Sequence, residues 1–417
     1  MTPPTALADA MARALADAPA GAVGVAVSGG GDSVALLLLV QHWAAAAGRR
    51  VEAATVDHGL RPEAAAEAAG VARLCARLGV RHATLAWTGW DGHGNLQAAA
   101  RDARRALLAG WARGRGLAAV ALGHTCDDQA ETFLMRLARG SGVDGLAAMA
   151  GTSRAEGVPW LRPLLGLRRA ALRAWLAEAG IGWVEDASND DPAFARVRAR
   201  EALGPLAALG LGPERLAATA ARMARARVAL EAATAALARD CAAPGPAGDL
   251  ILDPGPLAAA PEELRLRLVA AALVWASGAR VRPRLATTEA AVAAVLGQGL
   301  GHGVTAHGCV LRPWRGRVAV RREPARVGAP VPVDAIWDGR WEVRGAAGDG
   351  LRIGALGVAG LAARPGWRET GLAREALLAT PGVWRDGRLV AAPVLETGGA
   401  VVARRVAPLP APWDESR

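Results

Sequence analysis

Residues 24–33 read Gly-Val-Ala-Val-Ser-Gly-Gly-Gly-Asp-Ser, and this stretch decides the fold. An apolar run, Val23–Val27, leads directly into three glycines, and a helical pattern starts at Val34. Glycines let a backbone approach a phosphate chain closely, and the N–H groups at a helix N-terminus attract anions. The sequence therefore predicts a strand, a phosphate-binding loop and a helix in succession. The predicted loop residues are Ser28, Gly29, Gly30, Gly31, Asp32 and Ser33.

Other nucleotide-binding loops fit this stretch less well. The chain contains no Lys, so a GxxxxGK[ST] loop is excluded, and the GxGxxG spacing of dinucleotide-binding folds fails after Val27. The stretch resembles SGGxDS, the loop of the PP-loop ATP pyrophosphatases, which cleave ATP between its α- and β-phosphates. Such a resemblance implies ATP as co-substrate, and Asp32 would hold Mg²⁺ or position the nucleotide. The alternative to a nucleotide-binding loop is a glycine-rich turn between strand and helix, in which Asp32 only caps the helix.

Short apolar runs alternate with helical patterns between residues 20 and 200, which is typical of a parallel sheet covered by helices. We predict an α/β fold with a doubly wound, Rossmann-like parallel sheet. Ligands then bind beyond the carboxyl ends of the strands. The predicted strands are 23–27, 51–56, 81–86, 117–122 and 181–184, with helices starting near Ser33, Arg61, Asn95 and Asp127.

The rest of the chain predicts smaller modules. Residues 213–240 place Leu and Met seven apart, as in a long helix with a narrow apolar stripe. Residues 250–322 indicate a strand, two helices and a hairpin with paired runs at 304–311 and 317–320. Two Asp-Gly turns, at Asp338 and Asp386, indicate hairpins further on. The predicted domains are a catalytic PP-loop domain at 1–208, a helical linker with a small α+β domain at 209–325, and a β-rich tRNA-recognition domain at 326–417.

Composition narrows the class of function. The chain has 49 basic residues, all of them Arg, and 39 acidic residues, which gives a formal net charge of +10. This positive charge favours a polyanionic partner. A compositional bias of the genome explains why Arg is used in place of Lys. The four cysteines form no CxxC pair, which indicates neither a zinc site nor a disulfide framework and fits the cytoplasm. The N-terminus lacks the pattern of a signal peptide, and the apolar stretches are too short to cross a bilayer, so no membrane partner is expected.

Two further motifs follow predicted strands, at the edge where ligands bind. Val56-Asp-His58-Gly-Leu-Arg61 follows the second strand, and Gly123-His-Thr-Cys-Asp-Asp-Gln-Ala-Glu-Thr132 follows the fourth. With the Asn95–Arg105 helix, Arg162-Pro-Leu-Leu165, Glu185-Asp-Ala-Ser188-Asn189 and Arg196-Val-Arg-Ala-Arg200, they resemble the tRNA(Ile)-lysidine synthase family. That resemblance spans about residues 20–200 and weakens beyond 210.

The resemblance implies a ligase. The family joins free L-lysine to C2 of the wobble cytidine in the CAU anticodon of tRNA(Ile), through an adenylated cytidine, with release of pyrophosphate and AMP. By the same resemblance, the catalytic residues here would be Asp32, His58, Asp128, Glu131 and Arg101. The residues that bind the substrate or the tRNA would be Arg105, Arg196, Arg198 and Arg200.

Residue chemistry adds detail to these roles. Asp128 and Glu131 lie three apart, hence on one helix face, where two carboxylates could hold an ammonium or help deprotonate it; the alternative is that they only charge a helix start. If residues 196–200 are extended, their three arginines project to one side and contact the active site or RNA; alternatively, they pair with Glu185 and Asp186.

The chain differs from the family's motifs at two positions, and two other functions are compatible with the sequence. Thr125 replaces the second His of the family's GHH, and Val197 replaces the Asn of RNRIR, so neither role carries over. A tRNA thiolase of the same PP-loop class and a non-catalytic RNA-binding protein are the alternative functions. The sequence also leaves open whether the chain is a monomer or a homodimer.

Overall fold

The computed structural model of the chain describes residues 2–59, 63–90, 95–185 and 194–406. Two units are distinguished by their internal contacts, Met1–Arg227 and Val228–Arg417. The three-domain division at 208 and 325 stays a proposal. Four residues singled out in the sequence, Arg61, Asp186, Ser188 and Asn189, lie outside the described residues.

A six-stranded sheet forms the centre of the first unit, in the order β3-β2-β1-β4-β6-β5. Every neighbouring pair is parallel except β5 with β6 at the edge. The strands are β1 (Val23–Ala26), β2 (Val51–Asp57), β3 (Arg81–Ala86), β4 (Ala119–Ala121), β5 (Thr152–Ala155) and β6 (Val158–Leu161). The predicted α/β fold with a parallel sheet is confirmed, and so are the first four predicted strands.

Helices cover both faces of this sheet. Leu7 of α1, Leu36 of α2, Val71 of α3 and Leu172 of α7 belong to one core cluster with β1, whereas Leu108 of α4 belongs to the cluster on the other face. The helices are α1 (Thr5–Ala14), α2 (Gly31–Ala46), α3 (Ala64–Arg77), α4 (Leu96–Gly114), α5 (Cys126–Leu137), α6 (Val143–Leu146), α7 (Arg169–Glu178), α8 (Ala195–Ala207) and α9 (Pro213–Cys241). The long helix predicted at 213–240 is thus present as α9.

The strand predicted at 181–184 is wrong, because those residues form no strand. Instead, the Val184 N–H donates to the carbonyl oxygen of Gly29 (3.0 Å), and Trp183 lies beside Gly31. The apolar side chains that suggested a strand therefore cover the phosphate loop. The fifth and sixth positions in the sheet belong to β6 and β5, a hairpin that the sequence did not predict.

The second unit is built from antiparallel sheets and short helices. Sheet orders are β7-β8-β11-β10-β9, β12-β14-β15-β16 and β13-β17. Its strands are β7 (Ala242–Pro244), β8 (Leu250–Leu252), β9 (Val304–Ala306), β10 (Cys309–Trp314), β11 (Arg317–Arg322), β12 (Val331–Pro332), β13 (Trp341–Arg344), β14 (Arg352–Ala355), β15 (Pro381–Arg385), β16 (Arg388–Ala391) and β17 (Val402–Arg405). Its helices are α10 (Pro254–Ala259), α11 (Glu262–Ser277), α12 (Leu285–Val295), α13 (Gly357–Ala362) and α14 (Arg374–Leu378).

The turn predictions in this unit are partly confirmed. Asp386 and Gly387 both have positive φ and join β15 to β16, as a tight hairpin turn requires. Asp338 and Gly339 also form a turn, but it closes a single bridge between Trp337 and Trp341. The run predicted as one strand at 304–311 is broken at His307, so β9, β10 and β11 form a three-stranded meander.

None of the helices in the described residues has both the length and the apolar character needed to cross a membrane.

Candidate active site

A cavity of about 1020 Å³ lies in the first unit, at the carboxyl ends of β1, β2 and β4. This is the edge at which parallel α/β sheets bind their ligands. Side chains from the loops after all three strands line the cavity, together with residues of α4, α7 and α8. The lining residues that are charged or lie in the glycine-rich loop include Ser28, Asp32, Arg104, Asp128, Arg169 and Arg196.

The glycine-rich loop is folded as a cradle at the start of α2. Ser33 Oγ accepts a hydrogen bond from the Ser28 N–H (3.1 Å) and donates to the Gly30 carbonyl oxygen (2.8 Å). Gly29 has a φ of +93°, which a residue with a side chain rarely adopts. Of the predicted loop residues, all but Gly29 line the cavity. The loop therefore presents the N-terminus of α2 and two hydroxyls to a ligand.

Gly123 permits a close approach between the end of β4 and the start of α2. A Cβ atom placed on Gly123 would lie 3.2 Å from the backbone N and Cα of Ser33. A side chain at this position would therefore push against the phosphate loop.

His58 and His124 both line the cavity, after β2 and β4, the two strands that flank β1. Each has a buried Nδ1 without a hydrogen-bond partner among the described residues. Burial lowers the pKa of both, assisted by the positive charge of Arg104, and the pKa of His124 falls to about 4. Both imidazoles are accordingly neutral near pH 7, each with a ring nitrogen able to bond a ligand.

Arg104 reaches the cavity, whereas Arg101 and Arg105 do not. On α4 the cavity is lined by residues 96, 97, 100, 104 and 108, which recur at helical spacing. Arg101 is exposed, and Arg105 is exposed and paired with Asp102. The helix predicted after Asn95 is thus correct, and the Asn95 side chain caps it (3.0 Å to the Ala98 N–H). The sequence prediction placed Arg101 and Arg105 at the substrates. The helix face that lines the cavity instead carries Arg104, which is the residue before Arg105.

Asp128 and Glu131 share a face of α5, as predicted. Asp128 Oδ2 accepts hydrogen bonds from the N–H (2.7 Å) and hydroxyl (2.8 Å) of Thr125, so Thr125 caps the helix where the family has His. Burial alone would raise the pKa of Asp128, but Arg196 and Arg169 outweigh it and lower the pKa. Asp128 lines the cavity, while Glu131 lies behind it with no exposed surface.

Arg169, at the start of α7, joins all three acidic residues proposed for catalysis. Its guanidinium lies 2.9 Å from Asp32 Oδ2, 3.1 Å from Asp128 Oδ1 and 3.4 Å from Glu131 Oε1. Asp127 fixes the helix start, because its Oδ2 accepts a hydrogen bond from the Arg169 N–H (2.8 Å). The sequence reading missed Arg169, although Arg168-Arg169 closely follows the family-like Arg162-Pro-Leu-Leu165.

The arginines at 196–200 lie on a helix, so the expectation that all three project to one side is wrong. On α8, Arg196 and Arg200 are one turn apart and both reach Glu131 (2.8 and 2.9 Å), whereas Arg198 is exposed elsewhere on the helix. Glu185 pairs with Arg173, and Asp186 lies outside the described residues, so the predicted pairing with these two acids stays a prediction.

Asp32 offers one carboxylate oxygen to a ligand. Its Oδ1 is buried and has no hydrogen-bond partner in the described part of the chain. Burial raises the pKa of Asp32, and the neighbouring Arg169 opposes that shift. Within the described residues no group of three or more His, Cys, Asp or Glu is arranged to hold a metal ion.

All four cysteines are buried and free, and burial raises the pKa of each thiol. For Cys126, which lies inside the motif after β4, the pKa rises to about 11. A thiol in this state is protonated at neutral pH and is a poor nucleophile.

Comparison with known proteins adds to this geometry. Residues 3–207 match the family model described as a PP-loop domain. The chain is 47% identical over 375 residues to a tRNA(Ile)-lysidine synthase of Ruegeria pomeroyi, covering 89% of this chain and 88% of that protein. It is 45% identical to one from Methylobacterium sp., covering 74% and 90%. It is also 46% identical to one from Bradyrhizobium sp., covering 61% and 74%.

Proposed function

The chain belongs to the tRNA(Ile)-lysidine synthase family, and we propose that it joins free L-lysine to C2 of the wobble cytidine in the CAU anticodon. It is a ligase that uses ATP and modifies tRNA(Ile). In the proposed reaction, the cytidine O2 attacks the α-phosphate and pyrophosphate leaves. The lysine amine then attacks C2, the C2–O2 bond breaks, and O2 departs with AMP.

One observation carries this proposal: the phosphate loop, the α5 carboxylates and several arginines line or border a single cavity of about 1020 Å³. The reaction needs a triphosphate, a cationic amino acid and a nucleotide base close together. Holding reactants in this way supplies much of the rate enhancement in bimolecular reactions. The cavity is large enough to hold more than one small substrate.

The phosphate loop would hold the leaving pyrophosphate. Ser28 and Ser33 supply hydroxyls, and the first N–H groups of α2 supply positive potential. Burial lowers the pKa of Arg104, and no carboxylate opposes this shift. Among the cationic residues that line the cavity in the described part of the chain, Arg104 is the one with this property. We assign to Arg104, in place of Arg101 and Arg105, the charge that stabilises the α-phosphate as the bond to pyrophosphate breaks.

Asp32 fits a magnesium ion through its free Oδ1. Magnesium is usually held in proteins by one or two carboxylates together with substrate phosphates, and a buried carboxylate oxygen in the phosphate loop meets that requirement. When bound there, the ion would neutralise phosphate charge. The remaining chemistry is carried by the protein's own side chains.

Asp128 and Glu131 are the proposed residues for the lysine ammonium. Asp128 opens onto the cavity, and the two carboxylates converge on one guanidinium through two of its nitrogens, which supports a cation site between them. The neutral imidazoles of His58 and His124 line the same cavity and are the proposed partners for the edge of the cytidine.

Contacts with the rest of the tRNA are proposed for exposed arginines. Arg198 on α8 and Arg215, Arg222 and Arg225 on α9 are exposed in the first unit. We also propose that residues from 326 onward grip the acceptor end, and that the enzyme acts in the cytoplasm.

The thiolase alternative loses support from the cysteines. Sulfur transfer needs an accessible, activated thiol or a metal–sulfur cluster, and all four thiols here are buried with raised pKa values.

The direct test supplies the purified protein with ATP, radiolabelled lysine and CAU-anticodon tRNA(Ile). Label should enter the tRNA, with pyrophosphate released only when tRNA is present. A folded sample that releases no pyrophosphate would indicate a non-catalytic RNA-binding protein, and a thiolated nucleoside would indicate the thiolase.

A further inference from the structure

The proposed lysine site already contains a cation. The Arg169 guanidinium contacts Asp128 Oδ1 at 3.1 Å and Glu131 Oε1 at 3.4 Å, the two carboxylates assigned to the substrate ammonium. Its third contact is Asp32 Oδ2, at 2.9 Å in the phosphate loop. Arg169 lines the cavity, whereas Glu131 does not. Because Arg169 contacts Glu131, its guanidinium lies between the cavity and this carboxylate.

Among the described residues, the charges of these acids are matched before any substrate binds. Three carboxylates, Asp32, Asp128 and Glu131, contact three guanidiniums, those of Arg169, Arg196 and Arg200. Asp128 Oδ1 already contacts both Arg169 and Arg196 (3.1 and 3.5 Å), so an added ammonium would bring a further positive charge against occupied oxygens. Like charges at short range repel strongly where water is scarce, so the lysine ammonium needs the place that Arg169 now fills.

Arg169 is the guanidinium placed to leave. Arg196 and Arg200 reach Glu131 from α8, whereas Arg169 alone among the three also contacts the phosphate loop. A triphosphate in that loop brings several negative charges next to the Nε of Arg169. Guanidiniums form strong bidentate contacts with phosphates, so the nucleotide offers Arg169 a better partner than the carboxylates.

We propose that Arg169 occupies the lysine ammonium site in the nucleotide-free enzyme and moves to the phosphates when ATP binds, so that ATP binds before lysine. The inference rests on the proposed function, since it places the substrate ammonium at Asp128 and Glu131. Arg169 is then a positioning residue: it helps to neutralise the buried carboxylates until ATP binds and lysine can take its place. Removing one cation from buried carboxylates is destabilising, and Arg196 and Arg200 remain in contact with Glu131 when Arg169 leaves.

The test is equilibrium binding of radiolabelled lysine to the full-length enzyme without tRNA, with and without α,β-methylene ATP and Mg²⁺. The analogue should tighten lysine binding by roughly 5- to 150-fold, the usual range for coupled sites. Because coupling is reciprocal, lysine should tighten binding of the analogue by the same factor. Both measurements use the unmodified protein, so they decide the matter even if a variant fails to fold.

Arg169→Gln should remove the dependence. In this variant lysine should bind without nucleotide, with the two conditions differing by no more than about twofold. Arg168→Gln is the matched control, because Arg168 is the neighbouring residue and pairs with Asp127 and Glu214 outside the cavity lining. The control should keep the nucleotide dependence.

Lysine binding that is equal, or undetectable, in both conditions for the unmodified enzyme would overturn the inference, as would nucleotide dependence that persists in Arg169→Gln. If label still enters tRNA in the complete reaction, the ligase function survives that result. A complete reaction without lysidine would instead remove the proposed function.

Discussion

Arg169 and Asp32 are 137 positions apart in the sequence, yet the Arg169 Nε donates a hydrogen bond of 2.9 Å to Asp32 Oδ2. This contact ties the start of α7 to the phosphate loop. It leaves Asp32 Oδ1 as the free oxygen of that carboxylate.

Arg104 rather than Arg105 should act on the α-phosphate. Arg104→Gln is expected to lower tRNA-dependent pyrophosphate release about 10²-fold or more, because a charged donor to the developing transition state is lost. Arg105→Gln removes the same charge one residue away, from an exposed pair with Asp102, and should change the rate by less than about twofold. Steady-state pyrophosphate assays of both variants decide between them. The reverse order of effects would restore the assignment made from sequence.

Gly123→Ala should distort the phosphate loop. The new Cβ would lie 3.2 Å from the Ser33 backbone, so we expect a loss of about 1–3 kcal/mol in stability and weaker ATP binding. Gly151→Ala is the control, since nothing lies within 4 Å of its added Cβ. Thermal unfolding and nucleotide titration measure the two effects. Equal behaviour of the two variants would show that the approach of β4 to α2 is looser than described.

Thr125→Ala should destabilise α5. Thr125 is completely buried and shares a capping box with Asp128, and loss of such a cap costs about 0.5–2 kcal/mol. Thr125→Ser keeps the hydroxyl and should recover most of that loss. Urea unfolding of the two variants gives the comparison. A serine variant as unstable as the alanine variant would point to the methyl group rather than the hydroxyl.

His124 should make stability depend on pH. Its folded pKa of about 4 lies below the unfolded value near 6.5, so the unfolded chain binds more protons between these values. The stabilising contribution is therefore complete above pH 6.5 and is lost as pH falls toward 4, by up to about 3 kcal/mol. The charged groups that act on it are Asp128, Arg162, Arg196 and Arg104.

The check is the difference in unfolding free energy between the unmodified protein and His124→Gln, measured from pH 7 to pH 4.5. The difference should shrink or change sign as the pH falls. A constant difference would mean that His124 titrates normally in the folded protein.

Binding of tRNA should fall steeply with salt. Arginine–phosphate contacts release counterions, so the logarithm of the association constant should decrease linearly with the logarithm of salt concentration. Replacing Arg222 and Arg225, both exposed on α9, with Gln should reduce that slope by about one per lost contact. A flat salt response would remove the proposed role of these arginines.

Local features of the fold were well predicted from sequence. The phosphate loop is a strand, three glycines and a helix in direct succession, so its structure is fixed by neighbouring residues. The same holds for α5, where a cap residue and acids in the first turn mark the start of the helix. The first four strands followed from apolar runs.

The failures concern contacts that depend on distant residues. Residues 196–200 alternate as a strand would, but the Arg196 and Arg200 guanidiniums meet Glu131, 65 and 69 positions away, from a helix. Trp183 and Val184 cover the phosphate loop instead of joining the sheet. The sequence of α4 predicts a helix but does not tell which of its faces points into the protein. The packing of the helix shows that Arg104 faces the cavity.

The most direct test of the account is a structure of the enzyme with α,β-methylene ATP and lysine. We expect the triphosphate against Ser28–Ser33, the α-phosphate within reach of Arg104, and the lysine ammonium on Asp128 and Glu131 with Arg169 turned to the phosphates. Nucleotide bound away from the glycine loop, or lysine far from the α-phosphate, would contradict it.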